Sequence, residues 1–180
     1  MADQEKATVH DHVKEACKKC YPHNKHACNH FVQAVAAELK IGDFPSGTAD
    51  DIAYYLFDHW PRLASPSEAV SSAKAGFLVI AALPSGFHAR APVKNAKGKV
   101  IGSKIVEHGH VGIVVEGALY HGRYPRVWCG SIGGSGMSDG KLSVGEVWSK
   151  RRKQTWKGDE FGRDDRDEIW YFRSQNEVPK

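Results

Sequence analysis

The hydrophobic pattern of this chain changes once, from helical spacing in its first part to strand-like runs in its second. The segment CNHFVQAVAAELK carries Phe31, Val35 and Leu39 at helical spacing and ends before Gly42, which favours a helix. The segment GFLVIAAL, residues 76–83, is a continuous apolar run typical of a strand buried on both faces. Because helices and strands do not alternate, the pattern predicts an α+β fold in which N-terminal helices pack on an antiparallel sheet.

Two more helices are predicted by their start signals. Thr48 and Asp51 stand at capping-box spacing, and an apolar stripe follows them. Ser65 is a candidate cap for a shorter helix, in which Pro66 takes the first position. Neighbouring carboxylates such as Asp50 and Asp51 point in different directions on a helix, so we expect both to be solvated.

The second half of the chain predicts strands. The segments HVGIVVEG and ALYHGRYPRVWCGS are typical of two strands joined at Glu116 and Gly117, and IWYFRS, residues 169–174, is typical of a last strand. Residues 85–106 form a long insertion in which NAKGK indicates a hairpin tip. Residues 151–168, where a basic run meets an acidic one, are expected to be a solvated loop.

Length and composition limit the possible classes of protein. A chain of 180 residues normally forms one domain, so we expect a single domain over residues 1–180. No stretch approaches the roughly 20 apolar residues of a membrane span, so we expect no membrane insertion. A net charge of +4 is too mild to indicate a nucleic-acid partner. The polar start MADQEKATVHDHVKEA lacks the features of a secretory signal peptide, so we expect synthesis in the cytoplasm without one.

The segment CKKCYPHNKHACNH, residues 17–30, raises the question of a metal site. Zinc needs four ligands, and Cys17, Cys20, His23 and His26 could supply them in a zinc-binding module. Only two residues separate Cys20 from His23, which is too tight for a finger-like loop. The sequence leaves three alternatives for Cys17 and Cys20, namely zinc ligands, a disulfide, or two unpaired thiols on an N-terminal helix.

Cys28 stands apart from that cluster because it begins the predicted helix of Phe31 and Val35. The unpaired amides and the dipole of a helix N-terminus favour the thiolate, which is the reactive form of cysteine. In EHGHVGIVV, strand alternation places His110 and Gly112 on one face, and we expect that face to look toward the helix. Gly112 has no side chain and would let the helix start approach His110. Cys28 as nucleophile and His110 as general base therefore form a candidate catalytic pair.

Five motifs in this order, CNHFVQAVAAEL, GFLVIA, GHVGIVV, YPRVWCGSIGG and SVGEVW, resemble the first family of type VI secretion amidase effectors. Members of that family are NlpC-type, papain-like peptidoglycan amidases. The resemblance covers about residues 26–150 and implies that Cys28 is the nucleophile, His110 the general base and Cys129 a third, orienting position. It also implies cleavage of the peptide stem between γ-D-glutamate and meso-diaminopimelate, with the backbone N–H of Cys28 holding the oxyanion.

The resemblance further implies how the protein is used. An effector of this kind passes through the type VI secretion machinery into the periplasm of a target bacterium, and a cognate immunity protein blocks it in the producer. Since a thiolate, an imidazole and backbone amides carry every step, we expect neither a metal nor a cofactor. We also expect a monomer. Two alternatives stay open, the zinc-binding module and a catalytically inactive protein that binds the cell wall.

Overall fold

The computed structural model describes residues 9–84, 89–106, 109–132, 136–148 and 169–178. The helices of these ranges are α1 (Val9–Asn24), α2 (Cys28–Glu38), α3 (Ala49–His59) and α4 (Pro66–Lys74). The strands are β1 (Arg62–Leu63), β2 (Val79–Leu83), β3 (Ala89–Lys94), β4 (Val100–Val106), β5 (His110–Tyr120), β6 (Tyr124–Cys129), β7 (Ser138–Ser143) and β8 (Trp170–Arg173). Residues 144–148 form a further helical turn. The loop predicted at residues 151–168 lies outside the described residues.

An antiparallel sheet forms the centre of the described fold. Its strand order is β1-β8-β2-β5-β6-β7, and each neighbouring pair is antiparallel. Helices α1 to α4 precede most of the strands in sequence, as the change of hydrophobic pattern predicts. The predicted α+β class is therefore confirmed, and the arrangement is consistent with a papain-like amidase fold. Within the described ranges, no helix is long and apolar enough to cross a membrane.

The sheet is buried on both faces, which explains the continuous apolar run of β2. Ile80 and Ala82 pack into a core beneath α1, α2 and α3, whereas Val79 and Ala81 pack into a second core beneath α4 and residues 144–148. All four side chains are inaccessible to solvent. A strand with helices on both sides cannot place polar residues on either face, so it reads as an uninterrupted apolar segment.

Helix α3 begins as its capping signal predicts. The hydroxyl of Thr48 accepts a hydrogen bond from the N–H of Asp51 at 3.2 Å, and the N–H of Thr48 donates to the carboxylate of Asp51 at 2.8 Å. The backbone of Thr48 is the main cause of a lowered pKa at Asp51, and its hydroxyl adds to the effect. The cap fixes the direction in which α3 leaves the preceding loop, which matters because the start of α3 borders the candidate site.

The turn between β5 and β6 is not where the sequence predicts it. Strand β5 runs on through Gly117 and ends at Tyr120, and its pairing register with β6 shifts between Val115 and Tyr120. The chain reverses at His121 and Gly122, which have φ angles of 50° and 69°. Two consecutive positive φ angles are typical of a type I′ hairpin turn, for which Asn-Gly is the usual signal. His-Gly is a weaker signal, and the prediction of a turn at Glu116 and Gly117 is wrong.

The predicted hairpin tip in the insertion is confirmed. Strands β3 and β4 form a separate two-stranded sheet, and residues 95–99 join them. The side-chain oxygen of Asn95 accepts from the N–H groups of Lys97 and Lys99, both at 3.0 Å. Asparagine stabilises turns in this way because its side chain substitutes for a backbone acceptor.

Cys17 lies in the core beneath α1, α2 and α3, and its thiol links the stability of that core to pH. It is fully buried on α1, and burial, followed by the nearby Cys20, raises the pKa of its thiol well above the ordinary value of 9.0. The unfolded chain therefore loses this proton at a lower pH than the folded chain. Stability is complete below the unfolded pKa and falls above it, by up to about 1.4 kcal/mol per pH unit.

We expect Cys17→Ala to reduce this alkaline loss of stability. The free energy of unfolding, measured by urea denaturation from neutral pH to above the ordinary thiol pKa, should decline less steeply in the variant than in the wild type. The cavity left by the missing sulfur lowers stability equally at every pH. An unchanged pH slope with a uniform loss of stability would contradict the role assigned to the Cys17 proton.

Candidate active site

Cys28 is the first residue of α2, and its surroundings follow from how that helix begins. Ala27 caps the helix in an extended conformation without a side-chain hydrogen bond, and its carbonyl accepts from the N–H of Phe31 at 3.0 Å. The first turn holds no acidic residue that would offset the partial positive charge of the helix start. Helix α2 therefore stabilises an anion here, and a Cys28 thiolate is such an anion. The side chain of Cys28 is half-buried and packs against the core beneath α1 to α3.

His110 is the first residue of β5, and it is buried with 2% of its surface exposed. It pairs with Leu83 of β2. Its ring meets the indole of Trp148 edge-on, with 5.7 Å between the ring centroids and 68° between the planes. Since Trp148 is itself buried, the indole limits the orientations open to the imidazole. A histidine that accepts a proton from a defined direction needs such a restriction.

Cys129 is the last residue of β6. Its thiol donates a hydrogen bond to the carbonyl of Gly136 at 3.1 Å, which holds the loop after β6 against the strand end. A Cβ on Gly112 would lie 3.0 Å from the Cβ of Cys129, so these two positions face each other across β5 and β6. His110 lies two residues before Gly112 on the same face, and it is therefore a diagonal neighbour of Cys129. The structure brings these two predicted site residues together.

The structure differs from the sequence prediction on which face of β5 meets α2. Ile113 packs with Phe31 in the core beneath α1 to α3. His110 and Gly112 alternate with Ile113 along the strand, so they lie on the opposite face, beside Cys129. The prediction that Gly112 makes room for the helix start is wrong, because the space over Gly112 is taken by Cys129.

Helix α2 instead approaches the site from the end of the sheet. The N–H of Ser131, just beyond β6, donates to the carbonyl of Lys25 at 2.9 Å. A Cβ on Gly130 would lie only 2.7 Å from the carbonyl oxygen of Ala27. The backbone before Cys28 therefore lies directly against the backbone after β6. Because β5 and β6 are antiparallel, this is also the sheet end at which β5 begins with the buried histidine.

The start of α3 forms another side of the site. The side-chain amides of Asn29 and Gln33 on α2 donate to the carbonyl of Gly47 at 2.9 and 3.1 Å. The carboxylate of Asp50 accepts from the N–H of Gly109, directly before the histidine, at 3.4 Å. A side chain at Gly109 would collide with this carboxylate. The expectation that Asp50 is simply solvated is therefore wrong, since it is half-buried and borders the site.

Tyr21 on α1 is a second residue of these surroundings that sequence reasoning missed. Its ring stands edge-on to Phe31 and Trp128, at centroid distances of 5.6 and 5.2 Å. Burial, followed by the nearby Cys129 and Asp139, raises the pKa of its phenol to about 12. The phenol is therefore protonated at neutral pH and can serve as a hydrogen-bond donor at the end of β6.

The remaining part of the cysteine and histidine cluster has a different environment. Burial is the main cause that raises the pKa of both Cys17 and Cys20, which opposes the thiolate form that zinc binds. Both carry free thiols, and His23 and His26 are exposed. In the part of the chain that the structure describes, no three His, Cys, Asp or Glu side chains are grouped to hold a metal ion.

Comparison with known proteins identifies the chain's relatives. No family model matches it. Over 128 residues it is 42% identical to the peptidoglycan amidase Tse1 of Pseudomonas aeruginosa, a match that covers 71% of this chain and 70% of that protein. The chain belongs to the type VI secretion amidase effector family. The resemblance predicted from five separated motifs is thereby confirmed.

The contact between α2 and the end of β6 leaves no room for an added side chain. In Gly130→Ala the added methyl would meet the carbonyl oxygens of Ala27 and Asn24 at 2.7 and 2.9 Å, and backbone atoms cannot rotate away. The start of α2 has to shift, at a cost of about 1–3 kcal/mol in stability. If Cys28 at the α2 start is the reacting group, a small misplacement reduces turnover strongly, and we expect kcat to fall by about ten- to a hundredfold.

The matched control for this substitution is Gly42→Ala. A Cβ at Gly42 has no atom within 4 Å, so the methyl is accommodated without displacement. Both variants are compared by peptide release from purified sacculi and by thermal unfolding. Wild-type kcat in Gly130→Ala would show that the position of the α2 start does not depend on this contact.

Proposed function

We propose that this peptidoglycan amidase cleaves the peptide stem with Cys28 as its nucleophile and His110 as its general base. The observation that supports the proposal is the packing of the α2 start against the end of β6, beside the start of β5. It puts a half-buried thiol at a helix N-terminus and a buried imidazole at one end of the same sheet. A cysteine activated by a helix start and a neighbouring histidine is suited to acyl transfer.

The reaction proceeds through a thioester. The thiol proton of Cys28 passes to His110, and the thiolate attacks the carbonyl carbon of the scissile amide. The tetrahedral oxyanion accepts hydrogen bonds from N–H groups of the α2 start, including that of Cys28. The imidazolium of His110 then protonates the leaving nitrogen, and the carbon–nitrogen bond breaks. A water molecule, deprotonated by the same imidazole, hydrolyses the thioester and releases a carboxylate and the thiol.

Cys129 acts by positioning in this proposal. Its thiol holds the carbonyl of Gly136, and its side chain fills the space over Gly112 beside the histidine. A neutral thiol is a poor charge partner for an imidazolium, so its contribution is to keep the end of β6 in place against β5. We propose that the backbone carbonyl of Cys129 takes the orienting role that a carboxylate has in other triads.

We further propose that the bond cleaved joins γ-D-glutamate to meso-diaminopimelate. Mass spectrometry of muropeptides after incubation with the protein tests both the activity and the bond. The expected products are a disaccharide that carries L-alanyl-D-glutamate and a peptide that begins with diaminopimelate. Products that arise from cleavage at another position would show that the assigned bond is wrong. Binding to sacculi without release of any peptide would favour the catalytically inactive cell-wall protein.

Hydrolysis should not depend on a metal ion, because thiolate, imidazole and backbone amides carry each step. We expect EDTA to leave the rate of peptide release unchanged. Metal analysis of the protein purified without added zinc provides the second readout. Stoichiometric zinc that is lost together with activity on chelation would instead support the module of Cys17, Cys20, His23 and His26.

As a type VI effector, the protein is secreted and acts on targets in the periplasm. We propose that a cognate immunity protein protects the producer by covering the entrance to Cys28. We also propose that the protein works as a monomer and that residues 1–180 form one catalytic domain. Substitutions at the surface around the site should then weaken immunity-protein binding without dissociating any oligomer.

A further inference from the structure

Two exposed aromatic rings, one half-buried indole and an exposed arginine lie near the site and take no part in the proposed chemistry. Tyr54 and Phe57 on α3 are 52% and 47% exposed. Their rings lie 6.0 and 5.1 Å from the indole of Trp170, the first residue of β8. The guanidinium of Arg62 lies over the rings of both Phe57 and Trp170, at 5.6 and 5.5 Å from their centroids. These four residues are called the aromatic cluster below.

The aromatic cluster lies at the same end of the sheet as His110. Trp170 pairs with a residue of β2 that in turn pairs with Val111, the neighbour of His110. Two strand spacings of about 4.8 Å separate these positions, so the backbone of Trp170 lies about 10 Å from that of Val111, directly after the histidine. Helix α3 gives a similar distance, because Asp50 contacts the residue before the histidine and Phe57 lies about 10 Å further along the helix axis.

We propose that the aromatic cluster binds the glycan strand of peptidoglycan beside the stem that is cut. This inference rests on the proposed function, because the stem fixes the distance between the sugar and the scissile bond. Two to three extended residues span roughly 7–10 Å, and L-alanine and D-glutamate separate the sugar from the proposed bond. The aromatic cluster therefore lies about one stem length from the start of β5, the separation that a sugar-binding surface beside the cut stem requires.

The chemistry of the cluster fits a sugar. The C–H faces of pyranose rings are apolar and flat, so they stack on exposed aromatic rings, while their hydroxyl and acetamido oxygens accept hydrogen bonds. The guanidinium of Arg62 lies over two rings, and its N–H groups are donors for such oxygens. Arg62 is the one positive charge of the cluster, and it lies among aromatic rings. Such a surface suits an uncharged glycan better than a strongly acidic peptide.

A binding experiment tests the inference without using the chemistry of Cys28. The full-length Cys28→Ala protein, with and without Tyr54→Ala and Phe57→Ala together, is titrated with soluble glycan strands from which the peptide stems have been removed. Trp170 is left in place because it also packs against the core. The matched control is Tyr120→Ala, which removes a tyrosine of similar exposure, 44%, from the far end of β5. Thermal unfolding confirms that each variant is folded.

We expect the double substitution to weaken glycan binding by about tenfold, and Tyr120→Ala to have no such effect. In the active protein, the preference for a disaccharide-linked stem over the free peptide should fall by a similar factor. Equal binding by the double variant, equal loss in the Tyr120→Ala control, or absence of glycan binding by the parent protein would each overturn the inference. Failure of the proposed function would appear separately, as peptide release that persists in Cys28→Ala.

Discussion

Replacing Cys28 by alanine should reduce the hydrolysis of purified sacculi by about 10³-fold or more, because in the proposed mechanism the sulfur is the atom that forms the thioester. The groups that remain could provide only the residual catalysis of oxyanion binding and substrate positioning. The side chain is small and half-buried at the start of α2, so the fold should be retained. The measurement is the rate of peptide release by mass spectrometry, with thermal unfolding as the check on the fold.

Two companion variants sharpen this test. His110→Gln should lose about as much activity as Cys28→Ala, since the proposed mechanism needs both residues together, and glutamine avoids leaving a cavity beside Trp148. Cys20→Ala is the matched control. Cys20 is also a half-buried thiol that packs against the core beneath α1 to α3, but it lies on α1. It should keep most of its activity. Wild-type turnover in Cys28→Ala would refute the assignment of the nucleophile.

Local signals predicted the elements that carry the site because those elements are determined locally. The apolar stripe of α2 and the capping box of α3 are patterns within one helix, and both elements begin where their signals stand. The apolar run of β2 shows burial on both faces, which requires only that helices cover both sides of the sheet. The same local reasoning found Cys28 at a helix start and His110 at a strand start.

The approach of α2 to the site depends on contacts between distant parts of the chain. Strand alternation gives two faces for β5, but it does not say which helix covers which face when both are buried. The face of Ile113 meets α2, and that of His110 meets Trp148. The contact of Gly130 with Ala27 joins segments about a hundred residues apart in sequence. The hydrophobic periodicity of a single helix or strand therefore cannot predict it. These are the reasons why the predicted role of Gly112 fails.

Tyr21 and Asp50 were not predicted as neighbours of the site, again because their positions depend on contacts between distant parts of the chain. Tyr21 follows from no motif, because its importance comes from lying near the end of β6 once α1 is packed. Asp50 resembles any acidic residue in a first helical turn, where such residues are common for reasons of capping and dipole. The signal that could have singled it out is Gly109, since a glycine before a strand allows another group to approach the backbone closely.

The toxicity of this amidase should depend on the compartment in which it is placed. Its substrate lies outside the cytoplasmic membrane of a Gram-negative cell, so a molecule kept in the cytoplasm has no peptide stem of the wall to cut. Expressed in such a host without an export signal, the chain should permit growth. With an export signal grafted to it, the chain should cause lysis, because the amidase then reaches the wall.

The exported Cys28→Ala chain provides the decisive comparison. It has the same export signal and the same fold, so any burden of secretion is retained while thioester formation is lost. We expect optical density to fall after induction of the exported wild type and to keep rising for the exported variant, with both proteins at equal levels in the periplasmic fraction. Coexpression of an exported immunity protein should restore growth of the wild-type strain by covering the same site. Equal killing by the unexported chain would mean that the toxic target is cytoplasmic, and lysis by exported Cys28→Ala would mean that it does not arise from hydrolysis at this thiol.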